Sequence, residues 1–306
     1  MAATTTTQEA VTGRGAGTLA GAKLREALVG YGFVLLPMAV FGVFFLYPIG
    51  YAVYISFFDW GIFGKVASVG GDNYRQLFHD AVFHRALKNT IYYTIAVVPL
   101  QMALGLAMAI AVNQKIRGRT FFRSAFYFPS LVSSAAITAI AIYVLNIDGL
   151  FNQIFGLHKA WFDDSSTALW TIVGLNAWTT SGTMMLFYLA ALQAIPEDVY
   201  EAAAVDGTSR WRTFSRITFP LLRPGHFFVA VVSVIGAMKV FDQNYIVSNG
   251  SGGPNYSTLS AVLLLYQAAF KDIHFGYAAA MGVVLFAAIF LLTIGQWFLF
   301  GRREPV

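Results

Sequence analysis

The chain has 306 residues, of which 57% are apolar and only 11% charged, and it holds no cysteine. Soluble domains carry about 25% charged residues, so a soluble globular fold is excluded for most of the chain, and disulfide, thiol and cysteine–metal chemistry are excluded throughout. The net charge of +5 does not build a nucleic-acid surface, because the basic residues sit in short connections between apolar runs, as in a membrane protein.

Residues 1–28 are rich in Thr, Gly and Ala and hold Arg14, Lys23 and Arg25. They read as a disordered tail ahead of one transmembrane domain over 29–306. The apolar run that follows is too long for a signal-peptide core and shows no A-x-A cleavage site. A bilayer-spanning helix takes about 20 mostly apolar residues. Six segments qualify: 29–57, 90–112, 121–145, 168–191, 227–248 and 277–300. Pro37, Pro48, Pro99 and Pro129 fall inside them, and each removes a backbone hydrogen bond and predicts a kink. The apolar run 259–270 is short for a span and suits an interfacial or re-entrant helix. The expected fold class is therefore an all-α integral membrane protein with six transmembrane helices.

Charge orients it. With six spans, one side holds Arg14, Lys23, Arg25, Lys115, Arg117, Arg119, Arg123, Arg210, Arg212, Arg216, Arg223, Arg302 and Arg303. The other holds Lys65, Arg75, Arg85, Lys88, Lys159 and Lys271. Thirteen against six places both termini and the fourth loop in the cytoplasm by the positive-inside rule. The implied location is a bacterial cytoplasmic membrane, crossed several times.

That fourth loop, about 194–225, is a polar island with its own helix signals. Pro196 suits a first helical position, and Glu197 and Asp198 favour the positive end of the helix dipole. A helix over 196–206 ends at Gly207, which tolerates the left-handed conformation. Thr208 or Ser209 caps a second helix to about Thr218, stopped by Pro220 and Pro224. Ala202, Ala203 and Ala204 leave a smooth surface, with Glu201 and arginines around it. Such a pair can rest on lipid headgroups or receive another protein, and spacing alone leaves both open. There is no G-x-x-x-x-G-K-[ST] phosphate loop; the run from Gly250 to Pro254 comes nearest and lacks the Lys.

Among Lys, Arg, Asp and Glu, Arg123 stands at the very start of the third predicted span, and only Lys239 and Asp242 fall well inside one. Each costs about 2.5 to 3.5 kcal/mol at a helix centre. Three residues apart on a helix, they share a face and can pair. One reading makes them a structural pair. The other makes them a wall of a substrate path, with Gln243, Asn244 and Tyr245 beside them and a second polar–aromatic cluster at Trp178 and Thr179, continuing through Thr180 and Ser181. The five histidines form no close metal-ligand pair and read as solvated loop residues. No metal, cofactor or catalytic residue is expected.

The order Glu201-Ala202-Ala203, three residues, Gly207, nine residues, Ile217, one residue, Phe219-Pro220 resembles the cytoplasmic loop signature of permeases in binding-protein-dependent ABC importers. Phe219 stands where that pattern prefers Leu. The resemblance continues through Leu36-Pro37, Tyr47-Pro48 and 56–60, then Asn73-Tyr74, Phe83 and Asn89-Thr90. Later it takes in Phe241-Asp242, Gly252-Gly253-Pro254, Thr258 and 276–281. It is similar in this to the maltose and glycerol-3-phosphate group, and to the first of its two unlike permeases.

The resemblance implies a sugar or oligosaccharide as cargo, with glycerol-3-phosphate as the alternative. It implies an ABC ATPase dimer that uses ATP and Mg, a second homologous permease forming a heterodimer, and an extracytoplasmic solute-binding protein. Glu201, Ala202, Ala203, Asp206, Gly207 and Arg210 would couple to the ATPase. A secondary transporter driven by an ion gradient is the rival from another class; it expects acids deep in several spans, and only Asp242 is available.

Overall fold

The computed structural model of the chain describes residues 15–114 and 117–298, with side chains from residue 25 onward. It divides between Tyr54 and Ile55 into two units rather than the single domain expected over 29–306.

The first unit is one long helical rod: α1 (Gly15–Phe41), a π-helical turn (Gly42–Leu46) and α2 (Tyr47–Ile55). Residues 1–14 of the expected disordered tail lie outside the described residues, but 15–28 are helical. The physical reason is local, since Ala, Leu, Lys, Arg and Glu dominate that stretch and outweigh its glycines in helix propensity. The most apolar part of Arg25–Ile55 is 0% buried. Leu35, Leu36 and Phe44 are all more than half exposed.

The second unit opens with a hairpin that amends the all-α expectation. Strands β1 (Phe58–Gly61) and β2 (Gly64–Ser68) pair antiparallel, with Gly61 opposite Gly64 across a two-residue turn. The aromatic residues here favour a strand, and Lys65 lies over the Phe58 ring at 4.0 Å. The short helix α3 (Asp72–His79) follows. Its buried Asn73 donates from Nδ2 to the carbonyls of Ser56 (2.8 Å) and Phe58 (3.0 Å).

The central helix α4 (Ala81–Asn113) starts nine residues before the expected span. The Asp80 carboxylate caps it, accepting from the backbone N–H of Val82 (2.7 Å) and Phe83 (3.3 Å). A bent pair comes next, α5 (Arg119–Leu131) and α6 (Ser134–Val144), which meet at 91°. The kink expected at Pro129 is thus a full break, placed just after the proline. After the short α7 (Leu150–Phe155), α8 (Ala168–Gln193) packs along α4 more extensively than any other pair of elements.

The loop at 194–225 folds as α9 (Glu197–Val205), α10 (Arg210–Thr213), a π-helical turn (Phe214–Thr218) and α11 (Phe219–Leu221). Then α12 (Arg223–Met238) breaks at 239–241 before α13 (Asp242–Val247). The apolar run at 259–270 forms α14 (Ala261–Tyr266) with a π-helical turn to Lys271, buried against Leu77 and Phe83. The last described helix is α15 (Phe275–Gln296).

Among the described residues, four helices are long and apolar enough to cross a membrane, or five if the α5–α6 pair counts as one span. The expected fourth span, α8, has 26 residues. It falls short of the others in apolarity because Asn176, Thr179, Thr180 and Ser181 interrupt it.

The far loops are stitched by residues singled out in the sequence. Asn89 donates to the carbonyls of Tyr256 (2.6 Å) and Leu259 (3.0 Å), and the Thr90 hydroxyl accepts from the N–H of Ala261 (2.9 Å). Tyr277 donates to Asp80 at 2.7 Å, tying α15 to the start of α4.

Candidate coupling elbow and substrate cleft

The elbow joins the end of α8 to the start of α12. Pro196 is the N-cap of α9 rather than its first helical residue, with ψ at 139°. Gly207 takes φ 65°, the left-handed conformation that turns the chain between α9 and α10. The turn is held from both sides. The Thr208 N–H and hydroxyl both donate to the Ala203 carbonyl (3.1 and 2.8 Å), and Thr208 and Thr213 share a hydroxyl contact of 2.9 Å. Ser209 caps α10, its hydroxyl accepting from the N–H of Arg212 at 3.4 Å. The helix then runs through Pro220 and stops at Leu222, later than the proline suggested.

The expected alanine surface is split. Ala203 is buried at 4% exposure, holding α9 inward, while Ala202 and Ala204 face outward. Glu201, Asp206 and Arg210 are exposed, and among the described residues none of them forms an ion pair. The sequence reading passed over two exposed apolar side chains of the elbow, Val205 and Trp211 (89% and 75% exposed). The signal was available: a Trp in the middle of a four-arginine island has no core to join.

The cleft holds about 390 Å³ and opens where two helices are broken. Its wall takes Pro129, Ser130 and Ser134 from the α5–α6 break, and Lys239, Asp242 and Gln243 from the α12–α13 break. Asn176, Thr179 and Thr180 come from α8, and Gln101 from α4. Thr180 donates to Gln101 Oε1 at 2.6 Å, and Ser130 donates to the Thr179 carbonyl. A buried Gln is thereby given a partner. Ser134 Oγ is buried and without a partner. At Gly182 a Cβ would stand 2.5 Å from the Phe126 carbonyl oxygen and 2.9 Å from Tyr127 Cα. Glycine there lets α5 lie directly on α8.

Lys239 and Asp242 are exposed in this cleft, and no ion pair joins them among the described residues. The same-face pairing expected for a continuous helix fails because α12 ends at Met238 and α13 starts afresh at Asp242. Gln243 and Thr179 share the cleft with them. Asn244 and Tyr245 do not. Asn244 is buried and donates to the Thr258 carbonyl, and the Tyr245 ring lies tilted against Phe241 and edge-to-face with Tyr266, each at 5.4 Å. Trp178 faces out from α8, 54% exposed.

Gln101, Ser130 and Asn176 were missed because uncharged polar residues were considered only beside the Lys239–Asp242 pair and in the 178–181 cluster. A Gln two residues after Pro99 in an apolar run was the available signal. His226 also departs from the expectation of solvated histidines: it lies half-buried on α12 against Tyr188 and Phe219.

The family described as binding-protein-dependent transport system inner membrane component matches residues 101–303. The probable ABC transporter permease protein YesP of Bacillus subtilis (strain 168) is 35% identical, over 93% of this chain and 94% of its own length. The lactose transport system permease protein LacF of Rhizobium radiobacter is 32% identical, over 90% and 95%. The diacetylchitobiose uptake system permease protein NgcF of Streptomyces coelicolor (strain ATCC BAA-471 / A3(2) / M145) is 33% identical, over 88% and 81%. A chain of the crystal structure of a bacterial alginate ABC transporter, in complex with an alginate pentasaccharide-bound periplasmic protein, shares the fold. Its TM-score is 0.78 over 90% of this chain and 94% of that one, at 20% identity. From the family match and the 35% identity to YesP, this chain belongs to the binding-protein-dependent transport system inner membrane components, permeases of ABC transporters rather than enzymes.

Proposed function

We propose that the chain conducts a sugar or oligosaccharide inward through the cytoplasmic membrane, as one of two unlike permeases of an ATP-driven importer. A separate ATPase dimer, working with ATP and Mg, docks on the elbow. A solute-binding protein delivers cargo from outside. Both termini and the elbow face the cytoplasm, as the distribution of Lys and Arg supports.

The observation that carries this reading is the elbow itself. A polar, solvent-facing helical pair with exposed Val205 and Trp211 is inserted between two long helices that wall the cleft. Exposed Trp and Arg are the residue types that anchor protein interfaces. A partner that pulls on the elbow acts on α8 and α12, and through them on Thr179, Thr180 and Lys239. Shifting an inward–outward equilibrium from 1:99 to 99:1 takes about 5.5 kcal/mol of differential binding.

The cleft supports a neutral, hydroxyl-rich cargo. It offers one cation, one anion and several amide and hydroxyl groups. A phosphate dianion such as glycerol-3-phosphate would meet Asp242 beside Lys239. The relatives named for lactose and diacetylchitobiose support the same class.

The test is uptake of radiolabelled lactose and diacetylchitobiose into proteoliposomes holding the whole importer with its binding protein and internal ATP. Expected is uptake that stops when the ATPase is left out. Gradient-driven uptake without the ATPase would instead identify a secondary transporter.

A further inference from the structure

We propose that His226 is a positioning residue that bolts the elbow to the helices on either side of it, so that α8, the elbow and α12 turn as one lever. This rests on the reading of the elbow as the ATPase dock.

His226 lies in the first turn of α12. Its Nε2 is 3.2 Å from the Phe219 carbonyl oxygen, and its Nδ1 is 3.0 Å from the Tyr188 hydroxyl. The carbonyl can only accept, so Nε2 carries the proton; Nδ1 is then free to accept from the tyrosine. One neutral tautomer thus satisfies both contacts. The imidazole also lies against both rings, 4.5 Å from Phe219 and 5.3 Å from Tyr188.

The histidine and its two partners belong to three different parts. Tyr188 is on α8, 1% exposed, in a cluster with Leu192, Leu222 and Val229. Phe219 opens the last turn of the elbow. One residue before the histidine, a Cβ on Gly225 would stand 2.8 Å from the Ala191 Cβ. The start of α12 and the end of α8 therefore touch without a side chain between them.

The bolt adds a side-chain tie at the point where the helix changes course. Leu222, between the elbow and α12, leaves helical geometry at φ −76° and ψ 5°. Backbone bonds from the Leu222 N–H to the Thr218 carbonyl (3.0 Å) and from the His226 N–H to the Leu222 carbonyl (2.8 Å) bridge this joint, and the imidazole contacts add to them. The bolt also gives a reason for Phe219, the one departure from the loop signature. A leucine there has no ring face to set against the imidazole.

The chain has no cysteine, so spin labels can be placed at will. One goes at the exposed Glu197→Cys in the first turn of α9, outside the residues named for the dock, the other at Gly236→Cys near the far end of α12, where a Cβ meets nothing within 4 Å. The sample is the whole importer, with and without vanadate-trapped ATP. The expected label-to-label distance in the otherwise native chain is single and unchanged by trapping. In His226→Phe, which keeps a ring but loses both hydrogen bonds, it shifts by about 2 Å or splits. His226→Gln restores a donor and an acceptor and returns the native distance. Should His226→Phe not reach the membrane, Tyr188→Phe carries the test, with a smaller shift of about 1 Å.

Two results separate the bolt from the dock. An unchanged distance in both His226→Phe and Tyr188→Phe overturns the bolt. Retention of the ATPase by an Ala202→Glu chain overturns the dock, and the lever with it. Release of the ATPase by Ala202→Glu, with an unchanged distance in His226→Phe, removes the bolt and leaves the dock standing.

Discussion

The elbow and the cleft share two helices, α8 and α12, yet they are assembled in opposite ways. The elbow comes from one stretch, 197–221, and local rules shape it: a proline N-cap, a left-handed glycine and a serine cap. Its outward face, with Val205 and Trp211, is exposed. The cleft takes side chains from α4, α5, α6, α8, α12 and α13, spread from Gln101 to Gln243. No local rule brings these six elements together. Close packing does, and it depends on contacts such as Gly182 against the α5 backbone. A surface built locally tolerates change in its exposed residues, whereas a site built by packing is sensitive to residues that never touch cargo.

The largest expected effect tests that sensitivity. Gly182→Val forces a branched side chain into the α5 backbone and should cost about 4 kcal/mol or more. The variant should fail to accumulate as a folded, detergent-stable chain, read by fluorescence-detected size exclusion. A native melting temperature would mean that the cleft does not rest on this contact.

Next comes a pair of substitutions within the elbow. Ala203→Glu buries a carboxylate without a partner and should cost about 3 kcal/mol locally. It should open the elbow to limited proteolysis. Ala202→Glu, one residue earlier and exposed, should leave the proteolysis pattern native while releasing the ATPase on purification. Equal protease sensitivity in the two would erase the inside–outside division of α9.

Much of the elbow was legible in the sequence because its signals are short-range. Gly207 and Ser209 could be read from their neighbours alone. The burial of Ala203 could not, since it depends on the chain folding back at Thr208. The long helices were legible from apolar length, yet the breaks were not. Pro129 predicted a bend, but not a right-angled one between Leu131 and Ser134. Nothing local marked 239–241 as a break, so Lys239 and Asp242 were read on one helix face. Asn244 and Tyr245 were grouped with them for the same reason, though α13 turns these two into the loop packing. The β1–β2 hairpin begins at Phe58, just past the first expected span at 29–57, in a stretch that the apolar count left unassigned.

Two smaller effects complete the comparison. Gly207→Val places a branched side chain at φ 65°, a strain of about 1–2 kcal/mol. It should uncouple ATP hydrolysis from uptake while membrane levels hold, measured as ATP consumed per labelled sugar imported. Wild-type coupling in this variant would count against the elbow as the transmission point. Thr180→Val leaves buried Gln101 without its donor and should cost about 1–3 kcal/mol. A scan of thermal unfolding in detergent should show the drop, with the elbow's protease pattern unaltered. No change in melting would mean that Gln101 finds another partner in the cleft.

The two helix breaks have a further consequence for the energetics of cargo. An unbroken helix hides its amides, whereas a break exposes some of them, and hydrocarbon cannot solvate what is exposed. Such backbone is tolerated within a bilayer only against protein or against water. A cleft that opens between two breaks and is lined by amides and hydroxyls has room and partners for water. On the proposed route a sugar would exchange that water for protein hydroxyls a few at a time. The breaks would then lower the solvation barrier, a kinetic role separate from any affinity of the wall for its cargo.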